Sequence, residues 1–143
     1  MAESSSKRRV VLERAEPGRY TLTNARGGTI SIGSGGDADF SPVELLLGAI
    51  GGCTAIDVDT VTSRRAEPEA FEIEVTADKV RDDDGNRLTD IAVTFRVAFP
   101  SGPEGDEARD MLPKIVAKSH DRLCTVSRTV ELGTAVATEI ADS

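Results

Sequence analysis

Residues 41–59 read SPVELLLGAIGGCTAIDVD, and their first four residues, Ser41-Pro42-Val43-Glu44, are a complete helix start. Serine caps, proline occupies the first helical position with its φ already set, and Glu44 stands where it can return a hydrogen bond to the cap. Leu45, Leu46, Ala49, Ile50, Cys53 and Ile56 then recur at three- and four-residue spacing, so one stripe faces a core and Cys53 lies on or beside it. The helix is expected to run to about Arg65, with Glu67-Pro68 ending it. Gly48, Gly51 and Gly52 each cost up to ~1 kcal/mol of helix propensity relative to alanine. Three of them beside a cysteine point to close approach by another backbone. The Gly48 and Gly52 pair suits a tightly crossing helix, from this chain or from a second copy.

Upstream, three β-rich runs, Arg9 to Arg14, Arg19 to Asn24 and Thr29 to Ile32, are separated by Pro17-Gly18 and Gly27-Gly28 turns. They read as a meander, followed by a flexible loop over Gly33 to Asp39. Downstream, Phe71, Ile73, Val75 and Ala77 alternate with polar residues, as do Ile91, Val93, Phe95, Val97 and Phe99. Asp84-Gly85-Asn86 joins these runs into a hairpin with one dry face. A second amphipathic helix carries Ala108, Met111, Leu112, Ile115 and Val116, with Pro113 inside it as a source of a kink. Cys124 follows, and Thr125 to Val136 alternates as a last strand. The order is βββ-α-ββ-α-β: a single α+β domain over 1–143, with residues 1–6 disordered. The long apolar helix resists coverage in so small a monomer, so a homodimer is expected.

The chain has 143 residues, 17 Lys and Arg against 25 Asp and Glu, a net charge of −8, one Tyr, four Phe and no Trp. That balance excludes a nucleic-acid binder built on basic patches and stacking aromatics. The longest apolar run, Leu45 to Cys53, is well short of the ~20 residues of a membrane span, so no membrane association is expected. MAESSSKRRVV lacks the apolar core of a signal peptide, which points to the cytoplasm, where thiols stay reduced. Two cysteines and one histidine, His120, without a C-x-x-C, fall short of a structural zinc site. No metal is expected.

The two thiols, Cys53 and Cys124, invite redox chemistry: a thiolate cleaves a peroxide bond, and a second thiol resolves the sulfenic acid. The plain alternative is that both are small buried hydrophobes. Cys53 lies some three turns from the N-cap, beyond the reach of the helix-terminal field, so something else must activate it.

SPVELLLGAIGGCTAIDV, followed some seventy residues later by SHDRLCTVSRTV, resembles the OsmC/Ohr family of osmotically induced and organic hydroperoxide resistance proteins. GGCTAIDV is similar to the broad OsmC-like branch. The resemblance implies an intertwined α+β homodimer with a long central helix and interfacial active sites. It implies thiol-dependent reduction of organic hydroperoxides, and more weakly of hydrogen peroxide, without metal, haem or flavin. An external dithiol, often a lipoylated protein, would be the reductant. Cys53 then matches the peroxidatic cysteine and Cys124 the resolving one.

The resemblance also implies an arginine from the first β-turn that stabilises the thiolate, held by a glutamate at the start of the cysteine helix. Arg19 is the best match and Arg26 the fallback; most arginines beside surface turns are simply solvated. Glu44 is the candidate glutamate, but the family's residue stands one position earlier, where this chain has Val43. The neighbour is rotated by about 100°, and Glu44 already has a capping role. Asp57, one turn after Cys53, is expected to be solvated or paired with an arginine. His120 reads as a cap of helix carbonyls. An apolar pocket around Phe40, Leu45, Leu46 and Ile50 would favour alkyl hydroperoxides, at ~0.8 kcal/mol per buried methylene. The rival readings are a non-catalytic small-ligand-binding protein of the same fold and a general thiol–disulfide exchanger.

Overall fold

The computed structural model describes residues 5–142. The disorder expected over 1–6 falls largely on 1–4, outside the described residues; residues 5–9 carry no regular element. The chain forms two compact units, one up to Leu46 and one from Leu47 onward, a division within the long helix.

The first unit is the expected meander. β1 (Val10–Glu16), β2 (Arg19–Asn24) and β3 (Thr29–Ile32) pair antiparallel in chain order. Gly18 and Gly27 take positive φ, 74° and 90°, which the tight turns demand and side-chain-bearing residues resist. Asn24 closes the second turn by accepting from the Arg26 and Gly28 amides through its side chain, each at 3.0 Å. Leu12, Leu22 and Ile30 stand in one row across the sheet, with Leu12 and Ile30 about half exposed. The helix α1 (Pro42–Thr62) then starts as its sequence dictates. The Ser41 amide donates to Glu44 Oε1 at 3.0 Å, and the Glu44 amide donates to Ser41 Oγ at 3.2 Å. The capping box is complete.

In the second unit, α1 leads to a long hairpin, β4 (Ala70–Asp82) and β5 (Gly85–Ala98). Its apolar residues alternate half-buried with exposed polar ones, and Arg96 bridges Glu72 and Glu74 on the outer face. Both strands outrun the apolar alternation, because the ladder continues through polar rungs to Asp82 and Gly85. The close approach to α1 comes from a strand: a Cβ on Gly51 would sit 2.9 Å from the Val75 side chain, while Gly52 faces open space. Among the described residues of the chain, no helix crosses at Gly52.

α2 (Pro103–Lys118) runs unbroken through Pro113. The irregularity comes at its end, where Ser119–Leu123 form a π turn and the Cys124 amide donates to the Ser119 carbonyl at 2.8 Å. The strand expected over 125–136 is instead a short helix, α3 (Thr125–Glu131), followed by irregular chain. Val126 and Val130 are four residues apart, which suits a helix face as well as it suits alternation. Gly133, at φ 65°, supplies the helix stop. The fold is α+β, with the last element helical rather than extended.

α1 also corrects the membrane argument. Judged as a helix of 21 residues with a window hydropathy of 1.4, it is long and apolar enough to cross a membrane by length and composition. It nevertheless carries Asp57 and Asp59, and it buries Ile50, Gly51, Thr54, Val58 and Thr62 while its apolar Val43, Leu46 and Ile56 are exposed.

Candidate thiol site

Cys53 and Cys124 are both free thiols; Cys53 is half-buried and Cys124 is fully enclosed. The two thiols stand near enough that each influences the acidity of the other. The amides of Thr125 and Val126 reach Cys53, and those of Val126 and Ser127 reach Cys124, the last at 3.4 Å. Ser127 Oγ lies 3.3 Å from the Cys124 sulfur. Cys124 is thus the N-cap of α3, a role its sulfur fills in place of the usual oxygen.

These contacts divide the acidity of the pair. Burial pushes the Cys53 thiol up, and the neighbouring Cys124 adds to that, outweighing the two amides. Burial also pushes Cys124 up, but the Ser127 hydroxyl and amide, the Cys53 S–H and the Val126 amide overcome it, and the net movement is down. The surroundings thus move the two thiols in opposite directions.

A polar cluster ties the two cysteine-bearing segments together. Ser119, fully buried, donates from Oγ to Asp57 Oδ2 at 2.7 Å, and Thr54 Oγ1 stands 2.9 Å from Ser119 Oγ. Asp57, half-buried, is thus paired with Ser119 rather than with an arginine. His120 does not cap carbonyls either: Nδ1 meets Asp121 at 2.9 Å and Nε2 meets Glu131 at 2.8 Å. Hydrogen bonds to Asp121 and then Glu131 hold the imidazole above its ordinary value. This pins the π turn to α3.

Beside the cluster lies a cavity of about 550 Å³. Ile50, Ile91, Val93, Phe95 and Val130 form apolar walls, and Thr54 and Ser127 connect it to the thiol site. Of the four residues expected around an apolar pocket, Ile50 lines this one; Phe40 and Leu46 are exposed.

Arg19 and Glu44 belong to the first unit and are engaged there. The Arg19 guanidinium bridges Glu16 at 3.4 Å, Asp37 at 2.5 Å, and Asp39. Glu44 is held below the usual carboxylate value by the amide and then the hydroxyl of Ser41. The Arg26 amide serves its turn. The structure brings Cys53 and Cys124 together. Asp57 joins them through Ser119, a partner the sequence did not indicate, and Ser119 and Ser127 join them without having been singled out, since hydroxyls on helices carry no periodic signal. Among the described residues, no group of three or more His, Cys, Asp or Glu side chains converges as metal ligands would.

The family model described as OsmC-like protein matches residues 34–139. The chain belongs to the OsmC family. An uncharacterised protein of Mycobacterium tuberculosis is 30% identical over 132 residues, covering 92% of this chain and 94% of the relative. An OsmC-like protein of unknown function from Vibrio cholerae superposes with a TM-score of 0.72 at 15% identity, covering 89% of this chain and 95% of that one. An organic hydroperoxide resistance protein OsmC from Legionella pneumophila superposes at 0.59 and 14% identity, over 90% and 91% of the two chains. At such identities the OsmC likeness is one of fold.

Proposed function

We propose that this OsmC-family protein is a thiol-dependent peroxidase for organic hydroperoxides, working through Cys53 and Cys124. The observation that carries the reading is the facing thiol pair, served by the first amides of α3 beside an apolar cavity. The name of the Legionella pneumophila relative supports the substrate class.

Cys53 attacks because it is the thiol with access; Cys124 is enclosed. In the singly deprotonated pair, the Cys53 proton passes to the Cys124 thiolate as the peroxide arrives, and the Cys53 thiolate forms a bond to the distal peroxide oxygen. The O–O bond breaks, and the departing alkoxide takes the proton from Cys124 and leaves as alcohol. The regenerated Cys124 thiolate then attacks the Cys53 sulfenic acid. A disulfide forms, the S–O bond breaks and hydroxide leaves. An external dithiol, of the lipoyl type, returns both thiols to the reduced state in a compartment such as the cytoplasm. The cavity would hold the alkyl or aryl tail, at ~0.8 kcal/mol per methylene removed from water.

Peroxide consumption with a dithiol reductant tests this, using cumene hydroperoxide and hydrogen peroxide. Wild type is expected to prefer the organic substrate, and Cys53→Ser to lose turnover by at least ~10³-fold. Turnover that survives in Cys53→Ser sinks the assignment.

Arg19 favours a second reading. With three carboxylates on its guanidinium it is not a free cation, and Val43 stands where the family has glutamate. A reduced protein that consumes neither peroxide but binds cumyl alcohol would be a small-ligand-binding protein. We also propose that the chain works as a homodimer, supported by exposed apolar residues including Leu12, Ile30, Phe40 and Ile56.

A further inference from the structure

We propose that Ser119 is a positioning residue, held by Asp57 and Thr54, that keeps Cys124 facing Cys53 and so sets how readily the pair closes into a disulfide. The inference rests on the reading of Cys53 and Cys124 as a working pair.

The hydrogen bonds have one possible direction. Ser119 has one hydroxyl proton, and at 2.7 Å it goes to the Asp57 carboxylate, which accepts only. Thr54 must therefore be the donor in its 2.9 Å contact with Ser119. The chain Thr54 to Ser119 to Asp57 ends on a charge, which strengthens its last bond. The other threonines of α1 show that this is a choice. Thr60 and Thr62 turn their hydroxyls back to the carbonyls of Ile56 and Val58, at 2.7 and 2.9 Å. Thr54, in the same helix, turns across to Ser119 instead.

The placement gives the cluster its leverage. Thr54 is the residue after Cys53, and Asp57 is one turn further on. Ser119 accepts the Cys124 amide on its carbonyl at 2.8 Å. The cluster thus grips the Cys53 turn through side chains and Cys124 through the backbone. Both Thr54 and Ser119 are buried, so water does not replace a lost partner freely. Without it, the π turn is free to carry Cys124 away from the geometry a disulfide requires.

The reaction that reads this out is exchange with oxidised dithiothreitol. Its ring S–S bond breaks, the Cys53–Cys124 bond forms, and two electrons and two protons pass to the reagent. The full chain is equilibrated over a range of reduced to oxidised dithiothreitol, quenched with acid, alkylated and weighed. Ser119→Ala and Asp57→Ala are expected to lower the closure constant by about tenfold. Asp57→Asn, whose amide oxygen still accepts from Ser119, is expected to stay within about threefold of wild type. Val58→Ala, at a fully buried site outside the cluster, should lower the melting temperature and leave the constant unchanged. Should Ser119→Ala not fold, the half-buried Asp57→Ala carries the test alone. Wild-type constants in the alanine variants, an equal shift in Val58→Ala, or a wild type that forms no 53–124 disulfide would each overturn the proposal. No peroxide is used, so a pair that closes normally in a protein without peroxidase turnover removes only the proposed function.

Discussion

Full enclosure should make a thiol a poor acid, yet Cys124 is moved the other way because hydrogen-bonding groups surround it. The Ser127 amide donates to the sulfur, and the Ser127 hydroxyl, which accepts the S–H and can turn to donate once the thiolate forms, is the strongest lowering influence. Ser127→Ala keeps the amide and removes the hydroxyl, so the Cys124 thiolate should form at higher pH. Thiolate absorbance followed against pH, in a Cys53→Ser background, should show the midpoint displaced upward. A downward displacement would refute this account of the pair. The two cysteines were legible as residues because their types are rare and one sits on a periodic stripe. Ser119, Asp57 and Ser127 were not, because a short polar side chain on a helix looks the same whether it meets solvent or a buried partner. Arg19 shows the converse: its place beside a turn was readable, but of its three carboxylates one ends β1 and two come from a loop whose folding no pattern specifies.

Among the elements, those with turn punctuation at both ends were the easiest to place. β2 and β3 stand where Gly18, Gly27 and Gly28 bracket them, and α1 starts where Ser41 and Pro42 require. α3 departs from the expected strand because Val126 and Val130 fit two periods at once, and only Cys124 as a cap and Gly133 as a stop resolve the choice. The start of α2 carries its own constraint. A Cβ on Gly105 would fall 1.7 Å from the Pro100 carbonyl oxygen, a backbone atom that cannot swing aside. Gly105→Ala should therefore displace the first turn of α2 and cost more than ~2 kcal/mol of stability, read by urea denaturation. A loss below ~0.5 kcal/mol would mean that the turn gives way freely.

At the scale of the whole molecule, the number of exposed apolar side chains is the main argument for a second copy. Ile56 is 69% exposed near the middle of α1, and Phe40 is 58% exposed just before that helix. Light scattering should report twice the 15.1 kDa chain mass, and Ile56→Asp should return the particle toward the single-chain value. A wild-type particle of one chain mass would end the dimer proposal. The sequence could suggest a partner only through an apolar helix too broad for a small core; which residues stay uncovered depends on packing. The unequal enclosure of the two sulfurs also gives the protein two clocks. A small alkylating reagent meets Cys53 at the rate of ordinary encounter, whereas Cys124 waits for the unit to open. Labelling of Cys124 in a Cys53→Ser chain therefore times the breathing of the native state, with the chain's own sulfur as the reporter.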